Sequence, residues 1–430
     1  MIKLLERGLL YMAKDAAEIL CIGTEILLGN IVNTNSADIS RGLAELGINM
    51  YHHTVVGDNP ERLKEALETA FSRSNIVITT GGLGPTYDDL TKETIASYFG
   101  RQLIQHGPSI QSIKSFFRRI GGEMTENNLK QAMMPEGCMV LENHYGTAPG
   151  AILEGDGKIA VMLPGPPREM VPMFQEQVIP WLAKRSSQVF RSHCIYFFGI
   201  GESALEAQLR KEMEQMTNPT LAPYAKEGEV MLRVTACAAS EDEAEDMMEP
   251  VIQMLQQRFG ELIYGIDVDN LQTATVRLLQ EKGLKAATAE SCTGGYVAKR
   301  ITEIPGSSDV FECGIVSYAN STKHKVLGVR EETLAQFGAV SPQTAAEMAE
   351  GIRNLSGADI GISLTGIAGP GGGSQEKPVG LVYIGVSSPW HSEVKELHLG
   401  RGYDKERELI RWLASSHALS LIMRTAKMKP

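Results

Sequence analysis

Short apolar runs that end in glycine, serine or threonine and give way to helical periods recur at both ends of this chain, and no other feature constrains its fold as much. Near the amino end AEILCIG, INMYHHTVV and NIVITTGG alternate with helical spans over 35–46 and near 60–72. That alternation predicts parallel strands joined by crossover helices, an α/β layered fold. After Gly265 the pattern restarts with a helix over 271–282, the strand AATAE, a helix after Ser291-Cys292-Thr293-Gly294-Gly295, GIVSYAN, a helix over 341–355, IGISLTGIAGPGGG, GLVYIGV and a long helix over 405–425. Between them HCIYFFGIG, ESALEAQLRKEMEQM, EVMLRVTACAA and an acidic helix over 241–259 read as β-α-β-α, a small α+β module. A length of 430 residues exceeds one ordinary core, and the pattern divides it into domains over 16–184, 185–266 and 267–430. The opening MIKLLERGLLYMAK reads as a short extension, because Glu6 and Arg7 split its apolar stretch and no small-residue cleavage site follows.

A net charge of −11 argues against a general electrostatic grip on nucleic acid, which needs an excess of Lys and Arg to displace counterions. No apolar run has the length needed to span a bilayer, so no membrane partner is expected. The six cysteines are scattered without a C-x-x-C pair, which favours reduced thiols and a cytoplasmic setting.

Three strand-end loops in the last domain carry the chemistry. The first, Ser291 to Gly295, puts two hydroxyls and two glycines where a helix begins, and helix N-terminal amides suit an anion. A capped helix with a tight turn would use the same residues. The second holds Ser317, Tyr318 and, five residues later, Lys323; a bend there would bring phenol and ammonium together. Serine needs a neighbour to accept its proton, and a lysine of lowered pKa can do so. The third, Thr365 to Gly373, offers backbone amides to a phosphate or an oxyanion. Together they place a site at the carboxyl edge of a sheet.

AESCTGG, VSYANSTKHKVLGV, GAVS and LTGIAGPGGGSQEKPVG, in this order, resemble the CinA carboxy-terminal domain family, the nicotinamide mononucleotide deamidases, over nearly all of 268–425. The resemblance implies metal-free hydrolysis of the carboxamide to nicotinate mononucleotide and ammonia. It implies Ser291 as nucleophile, Lys323 as its proton acceptor and Tyr318 as third member. The residues alone leave open which of Lys323 and Tyr318 takes the proton. Thr293, Gly294, Thr365 and Gly369 are the expected substrate contacts, with Arg407 or Arg411 on the terminal helix for the 5′-phosphate.

In the first domain Thr80-Gly81-Gly82-Leu83-Gly84-Pro85-Thr86-Tyr87-Asp88-Asp89 follows a strand. Gly81, Gly82, Gly84 and Thr86 would hold phosphate oxygens, and Asp88 or Asp89 a divalent metal. Asp89 could instead cap the next helix. This segment resembles the MoaB/MogA fold, and residues 17–170 resemble the CinA amino-terminal domain. With Asp58 also present, that resemblance implies metal-dependent cleavage of ADP-ribose to AMP and ribose 5-phosphate. The middle module resembles the KH-like linker of long CinA proteins but lacks the G-x-x-G loop of RNA-binding KH domains. A homodimer is expected. Two other readings are a molybdopterin-binding protein, from the first domain alone, and an interaction protein in competence or DNA damage, from the family's name.

Overall fold

The structure is a computed structural model that describes residues 15–185, 189–226, 228–402 and 406–430. The amino-terminal extension and Lys405 lie outside the described residues. Chain contacts group the molecule into two units, one of residues up to Ser192 with Ala236–Met247, the other His193–Thr235 with Met248–Pro430.

In the first unit β1 (Ala16–Ile22), β2 (Asn49–Val56) and β3 (Ile76–Thr80) are followed by a two-stranded ladder of β4 (Leu103–Gln105) and β5 (Met133–Pro135), then β6 (Met139–Leu141), β7 (Gly150–Gly155) and β8 (Lys158–Leu163). The main sheet runs β2-β1-β3-β8-β7-β6, parallel through β8 and antiparallel beyond. Helices α1 (Asn35–Glu45), α2 (Pro60–Phe71) and α3 (Thr91–Tyr98) follow the first three strands. Alternate residues of the strands serve opposite layers: Ile19, Cys21, Ile76 and Ile78 pack with Ile39 and Leu43 of α1, while Leu20, Ile22 and Val77 pack with Leu63 and Leu67 of α2 and Ile95 of α3. Burial on both faces explains why AEILCIG and NIVITT are nearly continuous apolar runs. Asn59 starts α2 by accepting the Arg62 amide, with Pro60 at the first helical position.

The middle module contains β9 (Val189–Phe198), α4 (Glu202–Gln215), β10 (Thr220–Lys226), β11 (Glu229–Ala238), α5 (Glu241–Phe259) and β12 (Ile263–Ile266), in sheet order β10-β11-β9-β12. It is β-α-β-β-α-β rather than β-α-β-α. Both additional strands are edges. Pro223 inside β10 suppresses a strand reading, yet an edge strand tolerates the missing amide.

The last domain holds α6 (Leu271–Lys282), β13 (Ala286–Glu290), α7 (Tyr296–Thr302), β14 (Phe311–Val316), α8 (Asn320–Leu327), α9 (Pro342–Ser356), β15 (Ile360–Gly366), β16 (Leu381–Ser387), β17 (Ser392–His398) and α10 (Arg407–Lys427). The sheet order is β14-β13-β15-β16-β17; the first three strands are parallel and the last two antiparallel. Met348 and Ile352 of α9 pack on Ala287 and Ala289, while Ile410, Leu419 and Ile422 of α10 pack with Ala286, Leu271, Val297 and Ile301. Helix α9 therefore covers one face and α6, α7 and α10 the other. The β13 to β14 crossover runs over the second face and the β14 to β15 crossover over the first, so the chain diverges at the carboxyl end of β13. That is the switch point at which open α/β sheets form their crevice.

Glycines let α9 settle onto this sheet. A Cβ on Gly361 would stand 2.2 Å from the Ala349 carbonyl oxygen and 2.7 Å from Arg353 Cβ. Gly361→Ala should therefore destabilise the protein by about 2 to 3 kcal/mol, measured by chemical denaturation. Among the described residues no helix is long and apolar enough to cross a membrane.

Candidate active site

Three loops converge at the carboxyl ends of β13, β14 and β15. The first begins at Ser291, whose amide donates to the Leu364 carbonyl (2.9 Å), and turns through Gly294 and Gly295, both at positive φ. The second is placed by the Ser317 amide on the Glu290 carbonyl (2.8 Å). Lys323, on the first turn of α8, is brought back under both. Its Nζ lies 3.0 Å from Ser291 Oγ, 2.7 Å from the Ser317 carbonyl and 3.3 Å from the Tyr318 carbonyl.

Lys323 is 1% exposed. Burial lowers its pKa from the ordinary lysine value. A neutral amine has two N–H bonds and one lone pair, which matches the three neighbours: the N–H bonds serve the two carbonyls and the lone pair faces the Ser291 hydroxyl. This is the arrangement a general base requires. Cys292 is no competing nucleophile, because burial pushes its thiol up to about 11.

Several expected residues are placed differently. The Tyr318 side chain is 64% exposed and its hydroxyl lies 3.4 Å from Arg407 Nη2, so the phenol meets Arg407 and Tyr318 reaches Lys323 through its carbonyl. Of the two candidate bases, geometry assigns the serine's neighbour as Lys323. The Thr365 hydroxyl donates to the Ala339 carbonyl (2.6 Å) and the residue is buried, which makes it a tie between loops. Thr293 is buried, and its carbonyl accepts from Arg411 Nη2 (2.9 Å) and Nε (3.3 Å). Arg411 also pairs with Glu408 and lies over the Tyr296 ring. It clamps the Ser291–Gly295 turn through the Thr293 carbonyl rather than standing ready for a phosphate. Arg407 Nη1 donates to the Gly369 carbonyl (2.7 Å), joining the glycine-rich loop to Tyr318 and leaving further donors on the guanidinium.

Sequence reasoning missed Glu290. It is buried and accepts the α7 amides of Val297 (3.1 Å) and Ala298 (2.9 Å), so these amides are already filled by the protein. The signal was an acidic residue immediately before a hydroxyl-rich turn. Arg300, in the same helix, is also buried; its Nη1 donates to Ser415 and Ser416 (2.7 Å each) and its Nη2 to Gln272 (2.9 Å), locking α7 to α10 and α6.

The Arg411 clamp makes a distinction measurable. If Ser291 carries catalysis, Arg411→Met should lower kcat by about 10²-fold with little change in KM, because the turn that holds Ser291 loosens. A raised KM at unchanged kcat would make Arg411 a substrate contact instead.

In the first unit Gly23, Glu25, Asp58, Gly84, Asp88 and Glu169 are among the residues around a cleft of about 420 Å³. Asp58 Oδ2 accepts from the Thr24 amide (2.9 Å) and hydroxyl (2.8 Å), and Asp89 Oδ2 from the Thr86 amide (2.9 Å) and hydroxyl. Thr86 thus spends its donors on Asp89, which closes this turn instead of capping α3. Gly81 and Gly82 answer to packing, since a Cβ would stand 2.1 Å from the Ile22 carbonyl oxygen or 2.2 Å from Thr91 Oγ1. Their presence does not by itself mark a phosphate cradle. The neighbouring Thr86 side chain and Asp88's own backbone amide hold the Asp88 carboxyl below its usual range, with Lys130 adding to the effect. Lys92, which sequence reasoning passed over, is buried and pushed down to about 8; it donates to the carbonyls of Gln131 (2.6 Å) and Lys130 (3.3 Å) beside the cleft.

Among the described residues no three His, Cys, Asp or Glu side chains converge into an ion site. Asp89 Oδ2 is engaged by Thr86, so a divalent ion held by Asp88 and Asp89 would have to complete its shell with water and ligand phosphates.

Residues 268–426 match the model of the CinA C-terminal domain, 18–184 that of a "Probable molybdopterin binding domain" and 192–265 that of the damage-inducible protein CinA KH domain. A CinA-like protein of Kosmotoga olearia is 51% identical over 408 residues, covering 95% of this chain and 98% of the relative. One of Dictyoglomus turgidum is 52% identical over 407 residues with the same coverage. A solved structure of a competence/damage inducible protein from Agrobacterium tumefaciens is 44% identical and covers 36% of this chain and 92% of that one, with a TM-score of 0.35.

Proposed function

This chain belongs to the CinA family, and from that premise we propose that its last domain hydrolyses nicotinamide mononucleotide to nicotinate mononucleotide and ammonia. The observation that carries the reading is the 3.0 Å approach of the buried Lys323 amine to the Ser291 hydroxyl. Lys323 takes the proton as Ser291 Oγ bonds to the amide carbon. The C–N bond then breaks and the departing nitrogen takes that proton, leaving a nicotinyl ester on Ser291. Water attacks the ester, Lys323 accepts its proton, and Oγ is released and reprotonated. The Gly294, Val297 and Ala298 amides are engaged within the protein, so the oxyanion falls to other amides of the turn or of the loop after Thr365. Arg407 is our candidate for the 5′-phosphate.

Product analysis tests this reading. Nicotinate mononucleotide and ammonia should form in equal amounts; release of free nicotinamide would mean glycosidic cleavage and a different enzyme.

A second activity is proposed for the first domain because Asp88, held ionised, faces a cleft lined by further carboxylates. There Asp88 and Asp89 would hold a divalent cation, which supplies charge neutralisation to a bound pyrophosphate such as that of ADP-ribose. Asp88→Asn should lower magnesium-dependent formation of AMP and ribose 5-phosphate by about 10²-fold while leaving ammonia release intact. Equal loss of both activities would contradict separate sites.

A further inference from the structure

The second unit contains a cavity of about 360 Å³ between β12, β17 and the last turns of α10. Its lining on α10 begins at His417, about 15 Å along the helix from Arg407 at 1.5 Å rise per residue. Lys395 of β17 lines it, half-buried, and among the described residues it forms no ion pair. Burial lowers its pKa. The imidazole of His417 beside it is pushed down to about 4 by burial, with Lys395 adding to the effect, and its ring stands edge-on to Phe198 at 4.9 Å.

Arg424 and Lys427 add positive charge to the lining, and among the described residues Glu261 is the one acid on it. The neighbouring carboxylate, Glu393, is engaged by Arg424. Cations in the last turn of a helix are what the helix dipole favours, and that accounts for Arg424 and Lys427. It does not account for Lys395, which comes from a strand. A half-buried ammonium without a counter-ion is costly, and a ligand anion would offset that cost. Leu262, Met423 and Met428 give the cavity apolar walls, and its size falls in the range of small-molecule sites.

We propose that this cavity binds a small ligand carrying one anionic head, a phosphate or a carboxylate, on a flat apolar body. The head meets Lys395 and Lys427, and the body lies between Phe198 and Met423. The proposal stands apart from the deamidase reading, since neither Ser291 nor Lys323 takes part.

The test is site-resolved acetylation of the full chain, read by peptide mass spectrometry at Lys395 and, for comparison, at the exposed Lys114. Millimolar AMP, benzoate or adenosine is added before the reagent. We expect AMP or benzoate to slow acetylation of Lys395 by about tenfold, with Lys114 unaffected and adenosine without effect. Protection by AMP alone identifies a phosphate head, and by benzoate alone a carboxylate. Ser420→Trp, which fills the cavity, should abolish the protection. Failure of both anions, equal protection by adenosine, or protection that survives in Ser420→Trp would overturn the proposal.

Discussion

Ser291→Ala should lower ammonia release from nicotinamide mononucleotide by about 10⁴-fold while the protein stays folded. The size follows from the site's construction. Among the described residues Ser291 Oγ is the hydroxyl hydrogen-bonded to Lys323, and the adjacent Cys292 thiol is buried and protonated, so it offers no ready replacement nucleophile. What remains is substrate positioning and backbone dipoles. Unfolding does not explain such a loss, since the turn is held by the Ser291 amide, by Arg411 on the Thr293 carbonyl and by Glu290, all intact in the variant. Thermal denaturation alongside the assay checks that point.

Lys323 gives the second large effect. Lys323→Met and Lys323→Arg should each lower kcat by about 10³-fold, the first for want of a base, the second because a guanidinium stays protonated. In the unaltered protein the rate should rise with pH and level off below the ordinary lysine value of 10.5, because the neutral amine is the active form and burial lowers its pKa. The sign is diagnostic: a catalyst that needed the ammonium would lose activity over the same rise. Full activity in Lys323→Arg, or a rate that falls with rising pH, would assign the proton transfer elsewhere.

Much of this site was legible in the order of residue types. AATAE followed by Ser291, and an apolar run followed by Ser317 and Lys323, place these side chains at neighbouring strand ends once the sheet is parallel. The buried parallel strands are legible because both faces demand apolar residues. Edge strands were harder: β17, SEVKELH, has no apolar alternation because much of it meets solvent, and β10 carries a proline. Donor allocation was not legible at all. That Arg411 points its guanidinium at the Thr293 carbonyl, 118 positions away, or that the Tyr318 phenol meets Arg407 instead of Lys323, depends on how α10 crosses α7. The same holds in the amino-terminal cleft, where glycines that suggest a phosphate cradle are demanded by the Ile22 carbonyl and the Thr91 hydroxyl.

The central claim, a serine-lysine amidohydrolase, is tested most directly by ammonia release from nicotinamide mononucleotide by the full chain after treatment with a chelator, beside Ser291→Ala. The account predicts sustained release by the unaltered protein and its disappearance in the variant. No release from the unaltered protein, or equal release by the variant, would contradict it.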